Sequence, residues 1–431
     1  MTGWQILWRA LFFVGIVWLY TANFTGNIFK LGEPNNPAQW RARVFESFQM
    51  DSEMSATLML EKTKRDGLWS SGGFMMNRDL KVVYDKAFGL NGKIMCLVYK
   101  YSDADLNTFV GKAHGVVAFL FAVTLGVFAL YIWHEFGFTA ALVSVIMTNL
   151  SDWLVFVARN LFYFPFLHYL PFILSLALYP VFARYRRFGF AIYAAIITFA
   201  VLVNSLGCTV YITNIIMSVG IGPLYYGIVS GHRFNTICKQ MAIVMGLAIL
   251  AVAVALCLTG VQGNLYYKSS EGFRILFDSI YFRMFGVGDN LARSAPPELS
   301  IFRIFEQYLP IPLVSLPFSD VSRYRIYFSV YSFLFMIFPC AILAFIDARL
   351  CPRIARERVK LVGLTAVTIW AMLASLSWAF LLKGHMWHHP HMNALIFYLP
   401  YLLFLFILLG KELELIILQI RDFIPDKYAR E

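Results

Sequence analysis

The chain reads as an all-α polytopic membrane protein, on three observations. Of its 431 residues 59% are hydrophobic and only 14% are charged, where a soluble domain carries about a quarter charged. Mean hydropathy is +0.65. Apolar runs of about 20 residues recur, the length a helix needs to cross a hydrocarbon core of ~30 Å. The pattern predicts about ten spans, near 5–23, 113–133, 138–158, 165–183, 188–207, 209–230, 240–260, 326–346, 361–382 and 394–411. The first is too long and too poor in small cleavage-site residues for a removed signal peptide, and reads as a signal anchor.

The short connections set the orientation, because Lys and Arg concentrate in cytoplasmic loops. Arg184, Arg186 and Arg187 share one connection, His232, Arg233 and Lys239 a second, and Arg349, Arg353, Arg356, Arg358 and Lys360 a third. Ten spans with both termini in the cytoplasm put all three on the inside, and the opposite short connections carry little beyond Arg159 and Lys383. The net charge of +11 is then topology signal and attraction to anionic headgroups, not a nucleic-acid surface. The expected location is the inner (cytoplasmic) membrane. The six cysteines include no CxxC, and only Cys96 falls clearly in an outside loop, so no disulfide framework is expected.

The chain is expected to be one membrane domain over 1–431 with two long extracytoplasmic loops, 24–112 and 261–325. Loops of that length are usually functional or fold as small subdomains. The first holds a predicted surface helix at 52–65, ending at a C-cap formed by Asp66 and Gly67. The second mixes aromatics with charge and is broken by Pro296, Pro297, Pro310, Pro312 and Pro317, a pattern of interfacial helices and turns.

Several polar constellations fall on the predicted outer side. Asp51 and Glu53 open the helix of the first loop, either as N-terminal caps or as a carboxylate pair able to act as general base or metal ligand. Asp103 and Asp105, followed by Asn107, Lys112 and His114, could hold a divalent cation or simply cap the second span. Asp152 lies within a span, where a carboxylate is a functional candidate. Arg159, seven residues on, lies about two turns away on nearly the same helix face, with Asn160 beside it. It could pair with Asp152, snorkel to the headgroups or hold a phosphate. Four of the eight histidines, His385, His388, His389 and His391, crowd between two spans beside Lys383. His385 and His389 have the i,i+4 spacing of a metal pair, yet Pro390 interrupts a helix there and no neighbouring Glu completes a metalloprotease pattern. These imidazoles could equally bind a phosphate or sugar hydroxyls, or cap the span. His114 and His168 fall near the same face. Arg293, with Asp289 and Asn290, could reach over a lipid headgroup. No Walker A motif, dinucleotide fingerprint or Gly-x-Ser-x-Gly elbow is present.

The stretch from Asp51-Ser52-Glu53 to Lys64-Arg65-Asp66-Gly67-Leu68-Trp69-Ser70 resembles the first outside loop of the GT-C class of lipid-linked-sugar glycosyltransferases. Leu150 to Pro180, with Trp153 and Ala158-Arg159-Asn160, is similar to polytopic proteins of bacterial polysaccharide loci. The resemblance implies a GT-C-like fold that takes a sugar from a polyprenyl-phosphate donor to a glycan, lipid or protein acceptor on the extracytoplasmic face, with the active site facing the periplasm or exterior. It makes Asp51 the base, and Glu53 the alternative base or a ligand to a divalent metal such as Mg or Mn. Arg159, His388, His389 and Lys383 would contact the phosphate, with Asp103 and Asp105 shaping the acceptor site. Ser52 splits the acidic pair here, and the pair lies well past the first span rather than directly after it. Two rivals stay open. One is a flippase or transporter of lipid-linked oligosaccharide using Asp152 and Arg159, for which neither inverted repeats nor interrupted helices are legible. The other is a metal-dependent membrane hydrolase built on the histidines.

Overall fold

The computed structural model describes residues 3–29, 55, 57–67, 71–76, 83–182, 186–286, 300–310, 312–317, 325–350, 355–388 and 395–423. Seven helices in it are long and apolar enough to cross a membrane: Gly3–Gly26 (α1), Leu106–Phe136 (α4), Pro165–Phe182 (α7), Phe188–Gly207, Ile212–Val229, Phe234–Tyr267 (α11) and Glu357–Leu381. Phe188–Gly207 is most of α8, Arg186–Gly207. Ile212–Val229 comprises α9, Ile212–Ser218, and α10, Ile221–Val229. Glu357–Leu381 lies within α15, Ala355–Leu381. The chain is thus an α-helical membrane protein. The other three predicted spans fall on α5 (Phe138–Asn149) with α6 (Asp152–Val157), on α14 (Val330–Leu350) and on α18 (Tyr401–Phe423).

α1 and α4 run antiparallel, whereas α4 and α7 run parallel, with Phe121 against Tyr169 and Phe128 against Phe172. Phe24 near the end of α1 stacks on Phe121 of α4 at 5.3 Å, while Arg9 near its start lies 5.6 Å over the Trp133 ring. The predicted span 138–158 is not one helix. At its break the side chains of Thr148 and Asn149 turn back onto the carbonyls of Ser144 (2.7 Å) and Val145 (2.9 Å). Ser151 is extended, and its hydroxyl accepts the Leu154 N–H to start α6. Such local side-chain bonds compete with helix continuation. Asn23 of α1 seals the gap, its amide donating to the Asn149 carbonyl at 2.8 Å.

α18 takes the centre. Its residues from Tyr401 to Leu408 are all buried, as an apolar run without a polar face must be inside a bundle. It packs on α5, α15 and α14. The helix continues to Phe423, beyond the predicted end of the last span at 411, because Lys411 and Glu412 find buried places instead of a water interface.

The segments outside the bundle fold onto one end of it. Helical residues 57–66 (α2) end at Gly67, whose φ of 95° supplies the left-handed cap expected from Asp66-Gly67. α2 lies against α3 (Leu90–Lys100), with the Thr63 hydroxyl 3.1 Å from Cys96 Sγ. β1 (Met75–Met76) and β2 (Val83–Tyr84) pair antiparallel beside it. α11 runs on to Tyr267, past the predicted start of the second loop at 261, and turns into α12 (Glu271–Phe285). The two helices cross through glycines: a Cβ on Gly263 would meet the Gly272 Cα at 2.7 Å. After α13 (Ile301–Tyr308) comes a hairpin, β3 (Pro312–Pro317) with β4 (Arg325–Ser329), in place of the expected helices and turns. The predicted span at 326 accordingly begins as strand. Val314 of β3 bridges to Ser151, so the hairpin is anchored at the α5–α6 break.

Candidate functional site

A buried polar layer crosses the bundle at the end where these segments gather. It starts at the helix break. Tyr20 of α1 meets Thr148 through their hydroxyls, Asn23 reaches Asn149, and Asp152 is buried as the first residue of α6. Tyr169 of α7 continues the layer among the phenols of Tyr398, Tyr211 and Tyr20, where Tyr398 belongs to a short turn of helix, α17 (Leu395–Tyr398). Next come His168 and Asn204, and then a chain of rings. His168 stands edge-on to Tyr211 at 5.5 Å, Tyr211 lies 5.5 Å from Trp378, and Trp378 lies 5.3 Å from His385. His385 sits in α16 (Lys383–His388).

The helices set the depth of this layer. His168 is three residues past the start of α7, while Asn204 and Trp378 come three before the ends of α8 and α15. Each is therefore about 4.5 Å, less than one turn, inside the tip of its helix. Gly384 lets α16 close on α12, since a Cβ there would collide with the Gly286 N–H and the Phe282 carbonyl. At the rim Arg283 of α12 donates to the Thr209 hydroxyl (3.1 Å) and the Tyr84 hydroxyl (3.3 Å). Burial raises the Tyr84 phenol, partly offset by Arg283, and pushes the Cys208 thiol up to about 11. Both stay protonated at neutral pH, so Cys208 supplies no thiolate nucleophile.

Hydrogen-bonding capacity is left over in this layer. Among the described residues no well-formed hydrogen bond reaches either ring nitrogen of His168, the amide O and N of Asn204, Ser205 Oγ, the Tyr169 hydroxyl or Trp378 Nε1. His168 lies against Asn204 without completing such a bond. Buried polar atoms are nearly always paired in folded proteins. A cluster of spare donors and acceptors beside two large aromatic faces is suited to a polyol or sugar, which offers hydroxyls at its edges and C–H groups on its faces.

The residues anticipated from sequence distribute as follows. Asp51, Glu53, Arg293, His389 and His391 lie outside the described residues, as does the side chain of His388. Asp105 caps α4, accepting from the Thr108 N–H (3.0 Å) and hydroxyl (2.6 Å). Those two bonds pull its carboxyl below the usual range. Asp103 is exposed. Asp152 and Arg159 do not share a helix face, because α6 ends at Val157 and Arg159 sits in the following turn. Asn160 is a turn-former, its Oδ1 accepting the N–H groups of Phe162 and Tyr163 at 2.9 Å each. His114 bonds the Arg159 carbonyl at 2.6 Å. Lys383 is half-buried at the start of α16, and His385 is buried against Trp378. Among the described residues no group of three or more His, Cys, Asp or Glu side chains is placed to hold a metal. Sequence reasoning did not single out Asn204, Tyr211, Trp378 or Arg283. Asn204-Ser205 inside an apolar span was the available signal.

A second buried polar group occupies the opposite end of the bundle. Lys360 of α15 pairs with Glu135 of α4 at 3.3 Å, and the Tyr225 hydroxyl donates to the same carboxylate at 2.9 Å. Lys411 of α18 reaches Glu357 at 3.2 Å and Glu414 at 3.4 Å, with Glu412 buried beside it in sequence.

Comparison with protein-family models, with curated proteins and with solved structures finds no match to this chain.

Proposed function

We propose that the chain is a membrane glycosyltransferase that moves a sugar from a polyprenyl-phosphate donor to a glycan, lipid or protein acceptor. In this reading ten spans cross an inner membrane with both termini in the cytoplasm, and the polar layer opens to the outer face. The observation that carries it is the layer itself: His168, Asn204, Ser205 and Tyr169, which complete no well-formed hydrogen bond among the described residues, beside the faces of Tyr211 and Trp378, with Arg283 and Lys383 near its rim. No nucleotide sugar is available outside the cytoplasm, so a lipid-linked donor is required. A carboxylate takes the proton of the acceptor hydroxyl as its oxygen attacks the anomeric carbon. The bond from that carbon to the phosphate oxygen breaks, and polyprenyl phosphate leaves with the electron pair. Cationic side chains stabilise the departing phosphate; Arg283 joins Arg159, Lys383, His385, His388 and His389 as a candidate. Asp51 is the proposed base, with Glu53 as second base or as ligand to a divalent metal.

The test is transfer of labelled sugar from a panel of polyprenyl-phosphate donors, using purified wild type, Asp51→Asn, His168→Leu and Asn204→Leu. Transfer by wild type that is lost in Asp51→Asn and in the layer variants supports the assignment. Full transfer in all three variants removes it.

A second reading, transport of a lipid-linked glycan, is favoured by the interruption between α5 and α6, since transporters build their sites on broken helices. It predicts movement of a labelled lipid-linked oligosaccharide across proteoliposomes without any change of covalent structure.

A further inference from the structure

A groove runs along the outside of the bundle between α8 and α11, at the end away from the polar layer. Its upper part is a cavity of about 770 Å³ with Tyr179 and Phe182 of α7 on one wall and His232, Asn235, Lys239 and Gln240 on the other. Its lower part, about 640 Å³, is lined almost wholly by apolar side chains, among them Ala195, Phe199, Leu247 and Val254. Phe190 and Ile243 line both parts, so the two are continuous.

The chemistry changes along this groove in the sense that a lipid changes. At the head, Lys239 and His232 are exposed, and no acidic side chain pairs with either among the described residues. Arg233, also exposed, stands next to His232 in the chain. Asn235 and Thr236 add neutral donors. Below the head, Thr198 is the one polar side chain on the walls among the described residues. From Ile243 to Val254 the groove follows twelve residues of α11, about 16 Å of helix. That is close to half of a ~30 Å hydrocarbon core, the depth of a single leaflet.

We propose that this groove is a binding site for one anionic glycerophospholipid of the adjacent leaflet. Its phosphate lies between His232 and Lys239, and one acyl chain lies along α8 and α11. The positive head selects an anionic over a zwitterionic headgroup. The one-leaflet depth selects an acyl chain over a long polyprenyl chain, which would overrun the apolar walls. The site is independent of the sugar chemistry proposed for the other end.

The experiment is native mass spectrometry of the full chain with matched dioleoyl phosphatidylglycerol and phosphatidylcholine, and with a long-chain polyprenyl phosphate as competitor. Expected is preferential retention of phosphatidylglycerol, reduced about fivefold by Lys239→Gln and further by Lys239→Gln with His232→Gln. Both positions are exposed, so these variants leave the fold intact. Ala195→Trp, which fills the apolar part, should remove retention while the head is unchanged. Equal retention of the two phospholipids, unchanged retention in the double head variant, or displacement of phosphatidylglycerol by equimolar polyprenyl phosphate would each overturn the proposal.

Discussion

The two ends of the bundle bury polar groups in opposite ways. In the layer around His168 and Trp378, uncharged donors and acceptors outnumber their partners among the described residues. Around Lys411 and Lys360, charged groups are matched to carboxylates across helices. Removing one member of a buried ion pair strands the other in low dielectric, a cost of several kcal/mol. Removing a buried polar group that already lacks a partner strands nothing. In the proposed reading the first end receives the donor, while the ion pairs of the second hold α18 against α15.

The largest effect should come from Lys411→Met, which leaves Glu357 and Glu414 without their shared ammonium. A loss of about 2–3 kcal/mol is expected, below that of a fully buried pair because Glu357 and Glu414 are partly exposed, read as a fall in the thermal unfolding midpoint in detergent. A shift equivalent to less than about 1 kcal/mol would place this network at the stability level of a surface pair and erase the contrast between the ends.

Gly384→Ala comes next, because its methyl group would press on the Gly286 N–H and the Phe282 carbonyl of the α12 end. Overpacking of this kind costs about 1–3 kcal/mol and displaces His385 from Trp378. Donor affinity should fall together with the unfolding midpoint; a midpoint that falls alone would detach α16 from the site.

His168→Leu and Asn204→Leu sharpen the comparison most directly. Each should leave the unfolding midpoint within about 1 kcal/mol of wild type, while sugar transfer falls at least about a hundredfold, as when a preorganised polar contact is lost. A large stability loss with transfer intact would make the layer structural.

A smaller, pH-dependent effect belongs to Lys93 of α3. Its ammonium donates to Phe88 O and, at 3.0 Å, to Gln262 Oε1, and burial lowers its pKa to about 7 from an ordinary 10.5. Below pH 7 the amine is charged folded and unfolded, so stability is flat there. Between about 7 and 10.5 only the unfolded chain holds the proton, and stability rises with pH. Lys93→Met should abolish that slope, so the stability of wild type minus that of the variant should rise from pH 6 to pH 9. A constant gap would contradict the burial of the amine. The smallest effect is Asp66→Asn: its carboxyl is held down to about 2 by the Arg65 hydrogen bond and then by Lys62. The group is exposed, and no measurable change in the unfolding midpoint is expected.

Much of this architecture is legible from local chemistry, and the exceptions have local causes. The Gly67 cap and the Asp105 cap are short-range signals, and both appear where the residues place them. The break between Asn149 and Asp152 does not show in hydropathy, because the run stays apolar while Thr148 and Asn149 bend their side chains onto the backbone. The β3–β4 hairpin was hidden by its prolines, which sit at the strand ends, Pro312 and Pro317, where a missing donor costs no central ladder bond. Arg159 and Asp152 look paired by helical spacing only if the helix continues, and it stops at Val157.

The sequence by itself determined the class of protein, since apolar runs of span length have no stable alternative to burial in lipid or in a helical core. It also determined where polar residues interrupt those runs. Which of them meet was decided only by the tertiary structure. His168, Asn204, Tyr211, Trp378 and His385 come from separate segments of the chain and share a depth because each lies near a helix tip at the same end of the bundle. Glu357 meets Lys411 because α15 and α18 pack side by side, and Lys360 of α15 reaches across to Glu135 at the end of α4. Hydropathy is a local property and fixes the helices; the pairing of side chains depends on helix register and rotation, which are set by packing across the bundle.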